Sequence, residues 1–256
     1  MKINAKRTYA GIGVIALLVL ILYFAVPMQD RVFVLFDDLA ESIAFVLATV
    51  FLAIASNYVF GLEKKSIRLM SIGFGFWTLG QLMWTIFDIT HPNAEVPTPY
   101  FSDIGFISFY IFVIYGFFVL IQHYSRFISK KQWIIAVFTF VVLLSIALPL
   151  VLIPAALSKD LTLLGKLVTI TYPILDIVIV SLLTIISNLT AGGEIGQAWI
   201  ITGAGFFILT WADLVFTYLT TSQSSTMYVI SKFGVLWTLA GLVIMAGSVK
   251  YIEAHI

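Results

Sequence analysis

Apolar stretches long enough to cross a lipid bilayer follow one another through this chain, and only short connections separate them. A spanning helix needs about 20 mostly apolar residues. Charged and turn-forming residues divide the chain into eight such stretches, at 9–27, 35–60, 67–90, 101–124, 132–153, 166–189, 197–222 and 228–251. The sequence therefore predicts an all-α fold, a polytopic membrane bundle of eight transmembrane helices that forms a single transmembrane domain over residues 1–256.

The composition agrees with a membrane location and excludes several classes of protein. The chain is 61% hydrophobic and 11% charged, whereas a soluble domain carries roughly 25% charged residues. A soluble fold of this length could not hide so much apolar side chain from water, so the lipid bilayer is the expected partner. Basic residues form no run long enough to bind a phosphate backbone, so we expect no nucleic acid partner. The absence of cysteine excludes disulfides, thiolate metal ligands and cysteine nucleophiles.

The distribution of lysine and arginine predicts the orientation. With the N-terminus inside, ten of the 14 basic residues fall at cytoplasmic ends of the predicted helices, and the four at outer ends are Arg31, Lys159, Lys166 and Lys232. Because basic residues concentrate on the cytoplasmic side, we expect a multi-pass protein of the cell membrane with both termini cytoplasmic. The first apolar stretch is longer than a signal-peptide core and is interpreted as a retained anchor. The connections 92–100 and 223–227 are then expected outside.

A short internal similarity indicates a repeat. Residues 73–79 (GFGFWTL) in the third predicted helix resemble residues 203–209 (GAGFFIL) in the seventh. An even number of helices in each half makes such a repeat parallel, so we expect two parallel four-helix repeats with halves 1–128 and 129–256. The alternative is that small and aromatic residues recur by chance in apolar helices.

Acidic side chains concentrate in the predicted outer half of the bundle, which holds ten of the 13. Several of them are too deep to be loop residues. Asp176 and Asp213 lie within the sixth and seventh predicted helices, and Glu41 lies within the second. An acid at that depth costs a few kcal/mol unless it faces protein, water or a partner.

Helical spacing places these acids beside aromatic residues. Trp77, Gln81, Trp84 and Asp88 follow i, i+4, i+7 and i+11 and share one helix face. We expect such faces to converge on the bundle interior as an outward-facing polar and aromatic pocket, in which Lys232 lies between the buried aspartates and offsets their charge. The candidate ligand-binding residues are Asp176, Asp213, Lys232, Trp84, Asp88, Asp103, Tyr172 and Trp211.

The alternative interpretation of these residues is structural. Asp176 and Asp213 would then form hydrogen bonds between helices and fix their packing. Asp88 and Asp103 lie near predicted helix ends, where an acid can be hydrated. Trp84 would belong to the aromatic belt at the membrane interface.

Motifs of catalysis and of metal binding are absent from the sequence. It contains no H-E-x-x-H pair, and His91, His123 and His255 lie at predicted helix ends in no ligand spacing. It contains no G-x-S-x-G elbow, and its paired glycines match no phosphate loop. We therefore predict no enzyme, no catalytic residue and no metal site, and the sequence identifies no cofactor.

A retinal-type chromophore binder is a further alternative. Residues 231–234 (SKFG) resemble the Schiff-base helix of microbial rhodopsins, with Asp213 or Asp103 as a counter-ion. Lys232, however, is predicted about one turn inside the membrane, whereas a retinal lysine lies near the middle. The arginine- and aspartate-bearing third helix of that family is also not visible.

Three motifs resemble a class of sensory proteins. Residues 76–80 (FWTLG), 96–106 (VPTPYFSDIGF) and 172–176 (YPILD) resemble the multi-helix membrane sensor regions that lie N-terminal to bacterial and archaeal diguanylate cyclases and histidine kinases. Those regions carry a tryptophan-rich helix, a P-x-P loop followed by an aspartate, and a tyrosine-proline helix with an aspartate one turn on. The resemblance implies a sensory input module. No output domain follows Lys250 before the chain stops at Ile256, so signalling is expected to need a separate partner.

Three functions are compatible with these features. The first is a non-enzymatic membrane sensor or receptor-like module that binds a ligand in its outer half. The second is a small-solute or ion transporter that uses the parallel halves and the buried acids. The third is a structural subunit of a larger membrane complex, in which polar helix faces bind partner helices.

Overall fold

A computed structural model describes residues 5–25, 30–92, 94–221 and 227–256, and the regular secondary structure in these ranges is helical. The predicted all-α fold is confirmed. The α-helices are α1 Ala5–Phe24, α2 Asp30–Ala55, α3 Gly61–Thr90, α4 Phe101–Tyr124, α5 Lys130–Ala147, α6 Ile153–Leu157, α7 Leu163–Leu189, α8 Glu194–Thr221, α9 Met227–Phe233 and α10 Val235–Glu253. Most of the connection predicted at 223–227 lies outside the described residues.

Seven helical segments of the described chain are long and apolar enough to cross a membrane. They comprise α1, α2, α4, α5 with α6, α7, α8, and the end of α9 with α10. The chain is therefore a multi-pass helical membrane bundle. α3 is the longest helix, at 30 residues, but its lower hydropathy leaves it outside this set. The predicted number of eight spans stays a prediction.

Two predicted helices differ from the structure in their continuity. The fifth was predicted to end at residue 153, but a π-helical turn at Leu148–Leu152 carries it into α6. Pro149 and Pro154 lie in this region, and because proline has no N–H to donate, the regular α-helical pairing is interrupted without ending the helix. The eighth predicted helix is interrupted at Gly234, between α9 and α10, and the Asp37 carboxyl packs against this glycine.

Six helices form a closed ring. α2, α3, α4, α7, α8 and α10 pack in that order, and α10 returns to α2. α1 lies outside the ring against α10, and α5 lies outside it against α7. Aromatic side chains fill the interior: the Phe74 ring centroid lies 5.7 Å from that of Phe45, 5.0 Å from that of Phe109 and 5.6 Å from that of Phe206.

Contacts at the helix termini define the two ends of this bundle. Arg31, at the start of α2, donates a hydrogen bond to the carbonyl oxygen of Asp88 near the end of α3. Glu63, near the start of α3, accepts hydrogen bonds from Tyr124 at the end of α4 and from Tyr251 near the end of α10. α3 is therefore antiparallel to α2 and α4. We name the end with Arg31 and Asp88 the acidic end, and the end with Glu63 the opposite end.

Both termini of the described chain approach the opposite end. Ile12 of α1 and Val249 of α10 belong to one packed apolar cluster, and α10 runs toward Tyr251 at that end. Both termini lie near the same end because the chain runs between the two ends of the bundle an even number of times. The cytoplasmic location of the termini stays a prediction.

Glycines allow neighbouring helices of the ring to approach closely. A Cβ atom on Gly73 would lie 3.0 Å from the Phe109 carbonyl oxygen on α4, and one on Gly205 would lie 3.1 Å from the Ala240 carbonyl oxygen on α10. Gly203, which the sequence paired with Gly73, has no such neighbour within 3.8 Å. The glycines with matching roles are therefore Gly73 and Gly205, and the repeat itself stays a prediction.

Candidate functional site

A cavity of about 690 Å³ lies among the helices at the acidic end. This volume falls in the range of about 300–1,000 Å³ that is usual for small-molecule sites. Its acidic lining residues are Asp37, Asp38, Glu41, Asp88, Glu95, Asp103, Asp160 and Asp213. Its aromatic lining residues are Trp77, Trp84, Phe106, Tyr172, Phe216 and Trp237. Among the described residues that line it, none is a lysine, arginine or histidine.

One face of α3 forms a wall of the cavity. Trp77, Gln81, Trp84 and Asp88 all line it, as their helical spacing predicted. Trp84 is half-buried and makes an edge contact with Phe216, with the ring centroids 6.0 Å apart. The ring of Trp84 faces the cavity, and its interfacial-belt interpretation stays a prediction.

The facing wall, on α2, carries acids that bind neutral donors of α3. The indole Nε1 of Trp77 donates to Glu41 Oε1 at 3.0 Å. The amide Nε2 of Gln81 donates to Asp38 Oδ1 at 3.4 Å. The carboxyls of Asp38 and Asp88 lie within hydrogen-bonding reach of each other, and their second oxygens are buried with no other hydrogen-bond partner in the described part of the chain.

Asp176 and Asp213 meet at a tyrosine rather than at a lysine. The Tyr110 hydroxyl lies 3.0 Å from Asp176 Oδ1 and 2.9 Å from Asp213 Oδ2. Asp213 Oδ1 also accepts a hydrogen bond of 2.7 Å from the indole Nε1 of Trp237. Because a phenol has a single proton, it donates to one carboxyl at a time, and the second contact is a hydrogen bond only when a carboxyl supplies the proton.

Lys232 lies elsewhere, and its predicted position between Asp176 and Asp213 is wrong. Its Nζ donates to the Tyr23 carbonyl oxygen at 2.8 Å and lies 3.7 Å from the centroid of the Phe33 ring. Carbonyl groups of the last helical turn have no donor within their own helix and attract cations. The C-terminus of α1 and an aromatic face therefore bind this ammonium in preference to Asp176 and Asp213. The spacing of residues in the sequence does not reveal that preference.

Asp103 has a structural role as well as a place in the cavity wall. Its Oδ2 accepts the Tyr100 main-chain N–H at 2.6 Å, as part of a capping box at the start of α4. Its Oδ1 accepts a hydrogen bond from the Tyr172 hydroxyl of α7. The carboxyl thus satisfies a free donor of α4 and ties that helix to α7.

The remaining candidates separate into two groups. Tyr172 lines the cavity, whereas Asp176, one turn later on α7, points to Tyr110 and is not among the lining residues. Pro173 lies between them inside the helix and provides no N–H for the carbonyl of Thr169, another lining residue. Trp211 is 40% exposed on the outside of α8, where it contacts Phe207, and the structure does not bring it to the cavity.

Sequence reasoning missed several residues of the site, of which Tyr110, Trp237 and Phe106 are the clearest. A signal for two of them was present, because Asp103, Phe106 and Tyr110 follow i, i+3 and i+7 and share a face of α4. For Trp237 the spacing from Lys232 offered no guide, since the helix is interrupted between them at Gly234.

The chemistry of the cavity follows from its lining. It offers hydrogen-bond acceptors and aromatic faces, and within the described residues no group of three or more His, Cys, Asp or Glu side chains is arranged to hold a metal ion. Comparison of the chain with protein-family models, with curated proteins and with solved structures finds no match.

Proposed function

We propose that this chain is a receptor-like sensor module of a cell membrane, which binds a small molecule in the cavity at the acidic end and signals to a separate partner. The observation that carries the proposal is the cavity itself, since α2, α3, α4, α7, α8 and α10 all contribute to its wall. A ligand that contacts all the ring helices can favour one arrangement of them over another, which is the physical requirement for a signal.

The proposed topology has eight spans, with the acidic end outside and both termini in the cytoplasm. α3 runs antiparallel between α2 and α4, which are both long and apolar enough to cross. Its 30 residues extend over about 45 Å at 1.5 Å per residue, more than the hydrocarbon core of about 30 Å. The excess of basic residues at the opposite end supports the orientation.

The resemblance to membrane sensor regions supports a sensory role. Asp103 and Tyr172 come from two of the three motifs that carry the resemblance, and they are hydrogen-bonded to each other in the cavity wall. The two parallel repeats remain part of the proposal, on the similarity of residues 73–79 to residues 203–209. Gly73 and Gly205 lie in these two segments. Each of these glycines lets the following ring helix approach closely.

The packing of the ring between the cavity and the opposite end favours sensing over transport. Between the cavity and the opposite end, the ring interior is filled by buried phenylalanines, including Phe45, Phe74, Phe109, Phe117 and Phe206. A transported solute would have to displace this close-packed aromatic core. A receptor needs only small shifts of the helices around it.

Binding and flux measurements on the full chain in liposomes test the proposal. A set of cationic, neutral and anionic metabolites is screened for saturable thermal stabilisation, and each hit is then tested for uptake into the liposomes. Saturable stabilisation without uptake is the expected result. Uptake of a hit would identify a transporter, whereas a complete lack of binding together with co-purification of a partner helix protein would identify a structural subunit.

A further inference from the structure

We propose that the ligand of this cavity is an organic cation, whose protonated amine lies between Asp38 and Asp88 while its carbon body packs on the aromatic wall. This inference rests on the proposed binding function and names the chemical class of the ligand. Three independent features of the structure support it: the pairing of the basic residues, the unpartnered carboxyl oxygens, and the position of the indole rings.

Three basic side chains near the acidic end donate hydrogen bonds to main-chain carbonyls. Arg31 donates to the carbonyl of Asp88, Lys166 donates to that of Ala156 at 2.9 Å, and Lys232 donates to that of Tyr23 at 2.8 Å. These carbonyls belong to the last turns of α3, α6 and α1, where cations are favoured.

The donors that do reach the acids of the α2 wall are neutral. Glu41 accepts from an indole, Asp38 from a carboxamide, and Asp37 from the Tyr23 hydroxyl. No ion pair joins any of these three acids to a basic side chain in the described chain. Arg31 attracts Asp38 and the facing Asp88 electrostatically and offsets part of their charge. A ligand cation can offset the negative charge that remains on this wall.

Two carboxyl oxygens mark where the charge of the ligand would bind. Asp38 is 4% exposed and Asp88 is 5% exposed, the two carboxyls lie within hydrogen-bonding reach of each other, and the Oδ2 atom of each has no other hydrogen-bond partner in the described part of the chain. Both residues line the cavity, from facing helices. An alkylammonium group has three N–H donors when it is primary, so one ammonium can satisfy both oxygens at once.

Aromatic rings lie where the body of such a ligand would extend. Trp84 is one helical turn before Asp88 on the cavity face of α3. Phe216 makes edge contacts with both Trp84 and Trp237, at centroid distances of 6.0 and 5.5 Å. Aromatic faces attract organic cations and also bury their methylene groups, so this wall suits a cation with a carbon skeleton.

An inorganic ion fits the same cavity less well. A bound metal ion needs several oxygen ligands that converge within about 2.0–2.6 Å of one point, and no acidic group of that kind occurs among the described residues. A volume of about 690 Å³ also far exceeds what a desolvated ion fills. The carboxyls are spread over several helices with aromatic rings between them. Such a site suits an elongated organic amine better than a compact metal ion.

The test uses the full chain in lipid nanodiscs and a defined set of probes. The ammonium probes are 1,4-diaminobutane, spermidine, phenethylamine and choline, and the uncharged and anionic controls of similar size are 1,4-butanediol and succinate. Binding is followed by tryptophan fluorescence and thermal stability at probe concentrations up to about 10 mM, which detects millimolar Kd values. We expect saturable binding of at least one ammonium probe, and none of butanediol, succinate, sodium or calcium.

Variants connect binding to the two carboxyls. Asp88→Asn should raise the Kd of the bound amine by about tenfold or more, because a charged hydrogen bond is lost. Asp38→Asn should also raise this Kd, and it replaces Asp88→Asn in the test if that variant fails to fold. Glu253→Gln, an exposed acid at the opposite end, is the matched control and should leave the Kd unchanged.

The possible outcomes separate this inference from the proposed function. Binding of neutral or anionic metabolites alone would leave the receptor proposal standing and overturn the organic cation. Binding of an amine that is also carried across the membrane would support the cation and refute the receptor. Failure of all four ammonium probes, or amine binding that neither aspartate variant weakens, would overturn the inference.

Discussion

Replacing Tyr110 by phenylalanine removes one oxygen atom from the ring interior and, with it, the bridge between Asp176 and Asp213. Interhelical hydrogen bonds in membranes average about 0.6 kcal/mol, so the loss of two contacts alone would cost about 1 kcal/mol. Asp213 keeps its bond to Trp237. Asp176 is 1% exposed and its second oxygen already has no partner in the described chain. The substitution removes the hydroxyl donor of this carboxyl and leaves it beside Asp213, another acid.

The unsatisfied carboxyl sets the expected size of the effect. Leaving a buried polar group unpaired costs about 1–3 kcal/mol, so we expect Tyr110→Phe to lower the free energy of unfolding by about 2–4 kcal/mol. Equilibrium unfolding by sodium dodecyl sulfate in mixed micelles, followed by circular dichroism, measures this quantity. Adding Asp176→Leu removes the orphaned group and should restore part of the loss, since replacing both partners by apolar groups can be nearly neutral.

A matched control removes a hydroxyl of the same kind from the surface. Tyr115 is exposed, and its hydroxyl accepts only a 3.4 Å contact from Lys65. Tyr115→Phe should change the free energy of unfolding by no more than about 0.5 kcal/mol. A loss below about 1 kcal/mol for Tyr110→Phe, or a loss no larger than that of the control, would refute the reasoning.

Further predictions concern packing, topology and the lysine of α9. Gly205→Ala places a Cβ atom 3.1 Å from the Ala240 carbonyl oxygen and should destabilise the bundle by about 1–3 kcal/mol. Gly203→Ala places its Cβ in ordinary contact, 3.8 Å from the Ser187 hydroxyl oxygen, and should be neutral in the same unfolding assay. In the cysteine-free chain, Glu95→Cys should react with a membrane-impermeant thiol reagent applied outside; reaction only after the inner face is opened would contradict the topology. Lys232→Met should lower the free energy of unfolding by about 0.5–2 kcal/mol through loss of the α1 cap and the aromatic contact, and an unchanged midpoint would exclude that role.

Features that depend on local sequence were predictable. Helix positions follow from apolar length, and the cavity face of α3 follows from the spacing of Trp77 and Asp88, because side chains eleven residues apart return to the same side of a helix. Long-range partners were not predictable in this way. Lys232 was paired with acids on the basis of charge, but a helix C-terminus competes for the same ammonium, and only the three-dimensional arrangement decides between them.

The contact of Tyr110 with Asp176 and Asp213 is a second long-range pairing that local sequence did not predict. Asp176 and Asp213 were correctly predicted to lie deep in the bundle, since both are within apolar helices, but their common partner lies on α4, far away in sequence. Trp211 shows the opposite error. It is adjacent to the polar face of α8 in sequence, yet one residue corresponds to a rotation of about 100°, and this rotation turns the ring outward.

The order of the helices in the ring has a consequence for biosynthesis. α2 borders α10, so the ring closes only after α10 has entered the bilayer, and pairings between such distant segments form slowly. Until then, the acids of α2 must be covered by helices already made. Asp37 binds Tyr23 of α1, while Asp38 and Glu41 bind donors of α3. The acidic face of α2 thus finds hydrogen-bond donors in its immediate neighbours along the chain, so a nascent three-helix intermediate already covers part of this face before α10 is inserted.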